Sequence, residues 1–126
     1  MSPKDDKRKR VPFGEYVPFR GVLPFMEQFA PYDYDYSIAP GKELTRFELG
    51  EHRFGVSVCF EDSDPELARP YGIATQDGPA VDFLLNISND GWFDGTEEHE
   101  QHLAICRFRS AEARRAVVRS VTCGIA

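Results

Sequence analysis

Residues 81–88 read Val-Asp-Phe-Leu-Leu-Asn-Ile-Ser, and this near-continuous apolar run of strand length decides the fold. A strand with one wet face alternates apolar and polar side chains, whereas a strand covered on both faces does not, and the latter is the habit of parallel sheets. Asn89-Asp90-Gly91 breaks the run with turn chemistry. Beyond it, Thr96 fits a helix cap, and Glu97, Glu98 and Glu100 stand in the first turn, where the helix dipole favours anions. Ala104, Phe108 and Ala111 mark the expected buried stripe, with Arg107, Arg109, Arg114 and Arg115 around the rest. Residues 117–122 return to strand character before Gly124.

Upstream of this strand–helix–strand unit, residues 44–49 alternate with period two, Gly50-Glu51-His52 form a turn, and residues 53–59 make a second strand, which predicts a hairpin. In that second strand Val56 and Val58 face one way. Gly55, Ser57 and Cys59 face the other, which puts the thiol at the strand's end on the less apolar side. Ser63 and Asp64 ahead of Pro65 signal a short helix running through Arg69. A hairpin followed by alternating helices and strands is an α/β sheet with helices packed on it. Residues 11–40 differ in character: five prolines break helix and ladder alike, yet Phe13, Tyr16, Phe19, Phe25, Phe29, Tyr32, Tyr34 and Tyr36 are too many aromatics for a disordered linker. They predict a long ordered loop with one helical turn over 25–29.

The chain's 126 residues, 41% hydrophobic and 29% charged, are expected to form one globular domain. A net charge of −6 argues against a nucleic-acid binder that works by neutralising phosphates. The basic start, with Lys4, Lys7, Arg8, Lys9 and Arg10, sits on a body that is more acidic still. No apolar run approaches the ~20 residues that cross a bilayer, and the charged N-terminus is unlike a secretory signal. Three cysteines without a C-x-x-C pair suggest neither a disulfide framework nor a zinc site.

Cys59 is the first candidate for chemistry, because a thiol at the end of a strand, followed by a sharp turn, can point into a cleft beside free backbone amides. Cys106 and Cys123 read as core thiols. A nucleophilic thiol needs help to ionise, and a lysine beside it would both lower its pKa and hold a tetrahedral oxyanion. Taken alone, Lys7 is a solvated charge in a basic run, and Glu15 is a carboxylate in a proline-braced turn that needs a partner if buried. His52 falls in the hairpin turn. His99 and His102, at i and i+3, read as helix-surface residues without a third ligand, so no metal and no cofactor are expected. Trp92 and Phe93 are costly to expose, which predicts that their turn closes over a cleft or packs beneath one.

Four blocks of these residues resemble the carbon–nitrogen hydrolase (nitrilase) superfamily, and within it the apolipoprotein N-acyltransferase branch. Residues 7–19 (KRKRVPFGEYVPF) resemble the lysine segment, 56–62 (VSVCFED) the nucleophile strand, 83–93 (FLLNISNDGWF) the signature strand and loop, and 101–125 (QHLAICRFRSAEARRAVVRSVTCGI) the following helix and strand. The resemblance implies an αββα sandwich, incomplete here, with residues 1–126 as part of one carbon–nitrogen hydrolase domain. It implies a Glu-Lys-Cys triad in which Cys59 matches the nucleophile and Lys7, eight residues before Glu15, the triad lysine. Glu15 and Glu61 match auxiliary carboxylates. Lys9-Arg10 stand where the family usually has His-Leu, and Phe60 where it often has tyrosine.

The family's triad glutamate and its membrane helices lie upstream of the lysine segment, so the resemblance implies an internal piece of a longer enzyme, inactive alone. The parent would pass a phospholipid acyl chain, through a thioester on Cys59, to the N-terminal amine of a lipoprotein. It would do so at the bacterial inner membrane, on the periplasmic side, held there by the upstream segments, and with no nucleic acid involved. A fragment of a soluble amidase of the same superfamily, and a non-catalytic remnant, are the alternatives.

Overall fold

A computed structural model describes residues 4–30, 36–76 and 78–126. They form two compact units, one of residues 6–42 and the other of Lys4 and Asp5 with residues 43–126.

In the larger unit four strands form one sheet in the order β1 (Arg46–Leu49), β2 (His52–Val58), β3 (Phe83–Asn89) and β4 (Ala116–Thr122). β1 and β2 are an antiparallel hairpin, while β2, β3 and β4 run parallel. The crossovers are α1 (Pro65–Gly72) and α2 (Glu98–Ala113). The expected hairpin and the strand–helix–strand unit are both present, with shifted ends. β1 starts at Arg46, the turn is Gly50-Glu51 with Gly50 at φ +62°, and β2 stops at Val58, before the cysteine. α1 starts as its signal requires, Asp64 accepting from the Glu66 amide at 3.0 Å, but runs past Arg69 and through Pro70 to Gly72.

Both helices cover the Gly55 face of the sheet. Gly55 pairs with Leu84, and Leu84 with Val117, so these three share that face. A Cβ on Gly55 would stand 2.5 Å from the Tyr71 ring, so this close approach of α1 requires glycine. Tyr71 and Ala68 of α1, Ala113 of α2, Val81 and Leu84 are the buried core, with Leu44 and Val117 packed against it. The side of β2 expected to be the less apolar one is therefore the helix-covered one, because a glycine makes room for an aromatic ring. The opposite face carries Phe47, Phe54 and Phe83 stacked across three strands at 5.3 and 5.2 Å, with Ile87 and Val118 exposed. One helical layer on one sheet is half of an αββα sandwich.

α2 overturns the expected stripe. Ala104, Phe108 and Ala111 are exposed, whereas His102, Cys106, Arg109 and Ala113 are buried. The buried set has proper helical spacing. His102, Cys106 and Arg109 are accommodated in it because the elements beneath them offer carboxylates and carbonyl oxygens.

In the smaller unit the chain turns at Phe13 (φ +62°), where the Phe13 amide donates to Tyr16 O at 2.7 Å and the Glu15 amide to Val11 O at 2.8 Å. A 3-10 helix spans Pro24–Phe29, in line with the expected helical turn. Tyr36 Oη donates to Phe13 O, and the Gly41 amide to Lys7 O at 2.7 Å. A Cβ at Gly41 would lie 2.1 Å from Asp6 O, so the segment closes there only with glycine. Phe19, Phe25 and Phe29 are exposed; Tyr32 and Tyr34 lie outside the described residues. Among the described residues no helix is long and apolar enough to cross a membrane.

Candidate active site

Cys59 follows β2 at its C-terminal end, where open α/β sheets place their ligands. Its φ of +55° is left-handed, a region a non-glycine residue occupies at a cost of about 1–3 kcal/mol. It opens a 3-10 turn, Cys59–Ser63. Two side chains hold that turn. Glu61, fully buried, folds back so that Oε2 accepts from the Val58 amide at 2.8 Å. Asn86, which pairs with Ser57 across β2 and β3, donates through Nδ2 to Cys59 O at 3.1 Å and Ser57 Oγ at 3.2 Å. Cys59 is half-buried.

Lys7 and Glu15 meet within the smaller unit. Lys7 Nζ lies 2.6 Å from Glu15 Oε1, and the Val11 amide donates to Oε2 at 2.7 Å. The expectation of a solvated Lys7 fails: its side chain is 7% exposed, held inside by an ion pair across a tight turn. Glu15 has the partner that its proline-braced setting demands. Of the residues singled out in the sequence, the structure thus brings together Lys7 with Glu15 in one unit, and Cys59 with Glu61 in the other.

A buried polar cluster behind the Cys59 turn escaped the sequence reading. Asp62 Oδ1 meets His102 Nε2 at 3.0 Å, and Oδ2 accepts from Cys106 Sγ at 2.6 Å. His102 Nδ1 meets Asp90 Oδ1 at 3.0 Å. Asp90 in turn accepts from Ser88 Oγ and, at 3.1 Å, from Arg119 Nη2. Arg119 Nη1 donates to Cys106 Sγ at 3.0 Å, and Arg109 reaches the carbonyls of Asp62 and Ser63. His102 is therefore no surface residue; it is 1% exposed.

Burial alone would lower the His102 pKa, but its bond to Asp62 and the charges of Asp62 and Asp90 outweigh that and raise it, with Arg119 opposing. Burial and the charge of Asp90 raise that of Glu98. Burial, with the bond to Asp62, pushes the Cys106 thiol up to about 12. Cys106 is thus buried as expected, but as a hydrogen-bonding group. Cys123, expected in the core, is exposed.

Asp90, Glu98 and His102 bring one ligand atom each within 4.8 Å of one another. The chemistry is that of an ion-pair network, because Arg119 already neutralises Asp90 and both imidazole nitrogens face carboxylates. His99, expected to share the surface with His102, meets the Asp90 carbonyl at 3.1 Å. Trp92 and Phe93, expected beside a cleft, are 63% and 47% exposed. The helical spacing of His102, Cys106 and Arg109 was visible in the sequence; its partners Asp62, Ser63 and Asp90, 12 to 47 residues away, were not.

No family model matches the chain. Relatives do. The apolipoprotein N-acyltransferase of Geobacter metallireducens is 38% identical over 122 residues, covering 97% of this chain and 22% of that protein. Apolipoprotein N-acyltransferase 1 of Treponema pallidum is 38% identical over 120 residues, and the enzyme of Bdellovibrio bacteriovorus 33% over 121, each across 94% of this chain. The chain spans about a fifth of the length of these curated relatives. Among solved structures, XC1258 of Xanthomonas campestris, a CN-hydrolase superfamily protein with an arsenic adduct in its active site, matches 93% of this chain and 36% of its own, with a TM-score of 0.61 and 19% identity. That likeness establishes the fold.

Proposed function

Because this chain belongs with the apolipoprotein N-acyltransferases, as a segment on the carbon–nitrogen hydrolase fold, we propose that it supplies the nucleophile and the lysine of an acyl-transfer site. Cys59 Sγ attacks the ester carbonyl of a phospholipid. A C–S bond forms, the ester C–O bond breaks, and the thiol's proton leaves with the lysophospholipid oxygen. The α-amine of a lipoprotein's N-terminal cysteine then attacks the thioester; a C–N bond forms, the C–S bond breaks, and the amine's proton restores the thiol. Lys7, which pairs with Glu15, is assigned to the oxyanion by the family resemblance.

The observation that carries this reading is the left-handed Cys59 at the end of β2, held by Asn86 and Glu61, inside the segment shared with the acyltransferases. Glu61 and Asp62 hold structural bonds. By the family resemblance, the proton-moving carboxylate is assigned to another part of the parent enzyme, and these residues alone are expected to give no turnover; losing a positioned base typically forfeits ~10²- to 10⁴-fold. The parent is assigned to the bacterial inner membrane with this region on the periplasmic side, its partners a phospholipid and a lipoprotein.

The test is mass spectrometry of the full-length enzyme after incubation with a phospholipid carrying a labelled acyl chain. An acyl adduct on Cys59, abolished by Cys59→Ala and diminished by Lys7→Ala, is expected. An adduct on a different residue, or none, overturns the assignment.

A further inference from the structure

His102 joins two loops that leave neighbouring parallel strands on the same side of the sheet. Through Nε2 it holds Asp62, three residues beyond Cys59, and through Nδ1 it holds Asp90, just beyond β3. Asp62, Asp90 and His102 are each at most 3% exposed, so no solvent competes for these bonds. We propose that His102 is a positioning residue for the nucleophile turn, an imidazolium strut that fixes Asp62, and with it the backbone of Cys59, against the loop after β3. The inference rests on the reading of Cys59 as nucleophile.

The donor inventory decides the protonation state that works. A neutral imidazole has one N–H and one lone pair, so it can donate to only one of two carboxylates and must turn a lone pair toward the other. The imidazolium donates to both. Every element packed around it contributes charge. Asp62 faces it from the Cys59 turn, Asp90 from the loop after β3, Glu98 at 3.7 Å from its own helix, and Arg119 from β4. Cys106 stays a thiol and donates to the second oxygen of Asp62. Arg109 grips the carbonyls of Asp62 and Ser63 and sets the turn's other edge. The two carboxylates that meet His102 are balanced by the imidazolium and the Arg119 guanidinium, with Glu98 on the rim. Loss of the His102 proton breaks that balance at one carboxylate, and the turn loses an anchor.

The rate of acyl–Cys59 formation as a function of pH, in the full-length enzyme with phospholipid vesicles carrying a labelled acyl chain, tests this. His102→Gln is expected to slow acylation roughly 10²-fold, the scale of a misplacement near 1 Å, with the dependence on donor concentration unchanged and the alkaline fall of the wild-type profile abolished. His52→Gln, in the exposed hairpin, should match wild type. Should His102→Gln not fold, ¹⁵N spectra of the wild-type imidazoles decide: both His102 nitrogens still protonated above pH 6.5 support the strut, and a neutral tautomer at pH 6.5 or below overturns it. A wild-type enzyme that forms no Cys59 adduct refutes the nucleophile reading. A His102→Gln enzyme that forms the adduct as fast as wild type at every pH refutes only the role of His102.

Discussion

Asn86 Nδ2 donates to the carbonyl oxygen of Cys59 at 3.1 Å, from a side chain with no solvent exposure. One amide thus secures a left-handed residue at the point where β2 becomes a turn, and the same nitrogen serves Ser57 Oγ. Asn86→Asp keeps the volume but replaces the donor by an oxygen facing oxygens. We expect it to cost about 1–3 kcal/mol, the penalty of a buried polar group left unpaired. A fall in the urea midpoint with unchanged slope would register this; a wild-type midpoint would mean that the amide does not hold the turn.

The Lys7–Glu15 pair is organised differently, since each Glu15 oxygen has its own donor. Glu15→Ala frees both the Lys7 ammonium and the Val11 amide. Glu15→Gln keeps an acceptor for Val11 while losing the charge. Hydrogen exchange at Val11 should quicken about tenfold or more in the alanine variant, consistent with losing a bond of roughly 1.5–3 kcal/mol to a charged acceptor, and less in the glutamine variant. Equal protection in all three proteins would place the Val11 amide's protection elsewhere.

Substitutions on either side of the helical layer separate what the sequence made legible from what it concealed. Gly55→Ala pushes a methyl into the Tyr71 ring and is expected to destabilise by about 1–3 kcal/mol. Phe108→Ser, at a side chain 66% exposed, should change stability by under about 0.5 kcal/mol. Thermal unfolding of the two variants tests the ranking, and a more damaging Phe108→Ser would reverse the assignment of helix faces. The apolar run of β3, the hairpin and the Pro65 start signal were legible because each is written in adjacent residues. The buried face of α2 was not, because hydrophobicity picks out Ala104, Phe108 and Ala111 while the contacts select His102, Cys106 and Arg109. Carboxylates from distant segments turn those polar residues into interior ones. Lys7 is buried through a nearer partner, Glu15, eight residues on across a tight turn, which the basic run around it conceals. The family was legible through the joint spacing of four blocks, whereas the network behind Cys59 depends on pairings that only the folded sheet makes.

Protonation should tie the stability of the larger unit to pH with a definite sign. His102 binds its proton more tightly in the folded state than in the unfolded chain, because the pull of Asp62 and Asp90 exceeds the burial penalty. Its contribution is therefore fully present below the unfolded value of 6.5 and is lost as pH rises through the higher folded value. Glu98, raised by burial and by Asp90, acts in the same direction from 4.5 upward. Cys106 does so from 9.0 to about 12, which also leaves its thiol unreactive toward iodoacetamide at mildly alkaline pH until the protein unfolds. The urea midpoint, followed by circular dichroism, should thus fall between about pH 6 and about pH 8, where histidine is the side chain that ordinarily titrates. His102→Gln should flatten that interval. If the wild-type midpoint instead rose across it, the imidazole would be entering the fold neutral, with one of its two carboxylates facing a lone pair, and the charge balance drawn around Arg119 would be wrong.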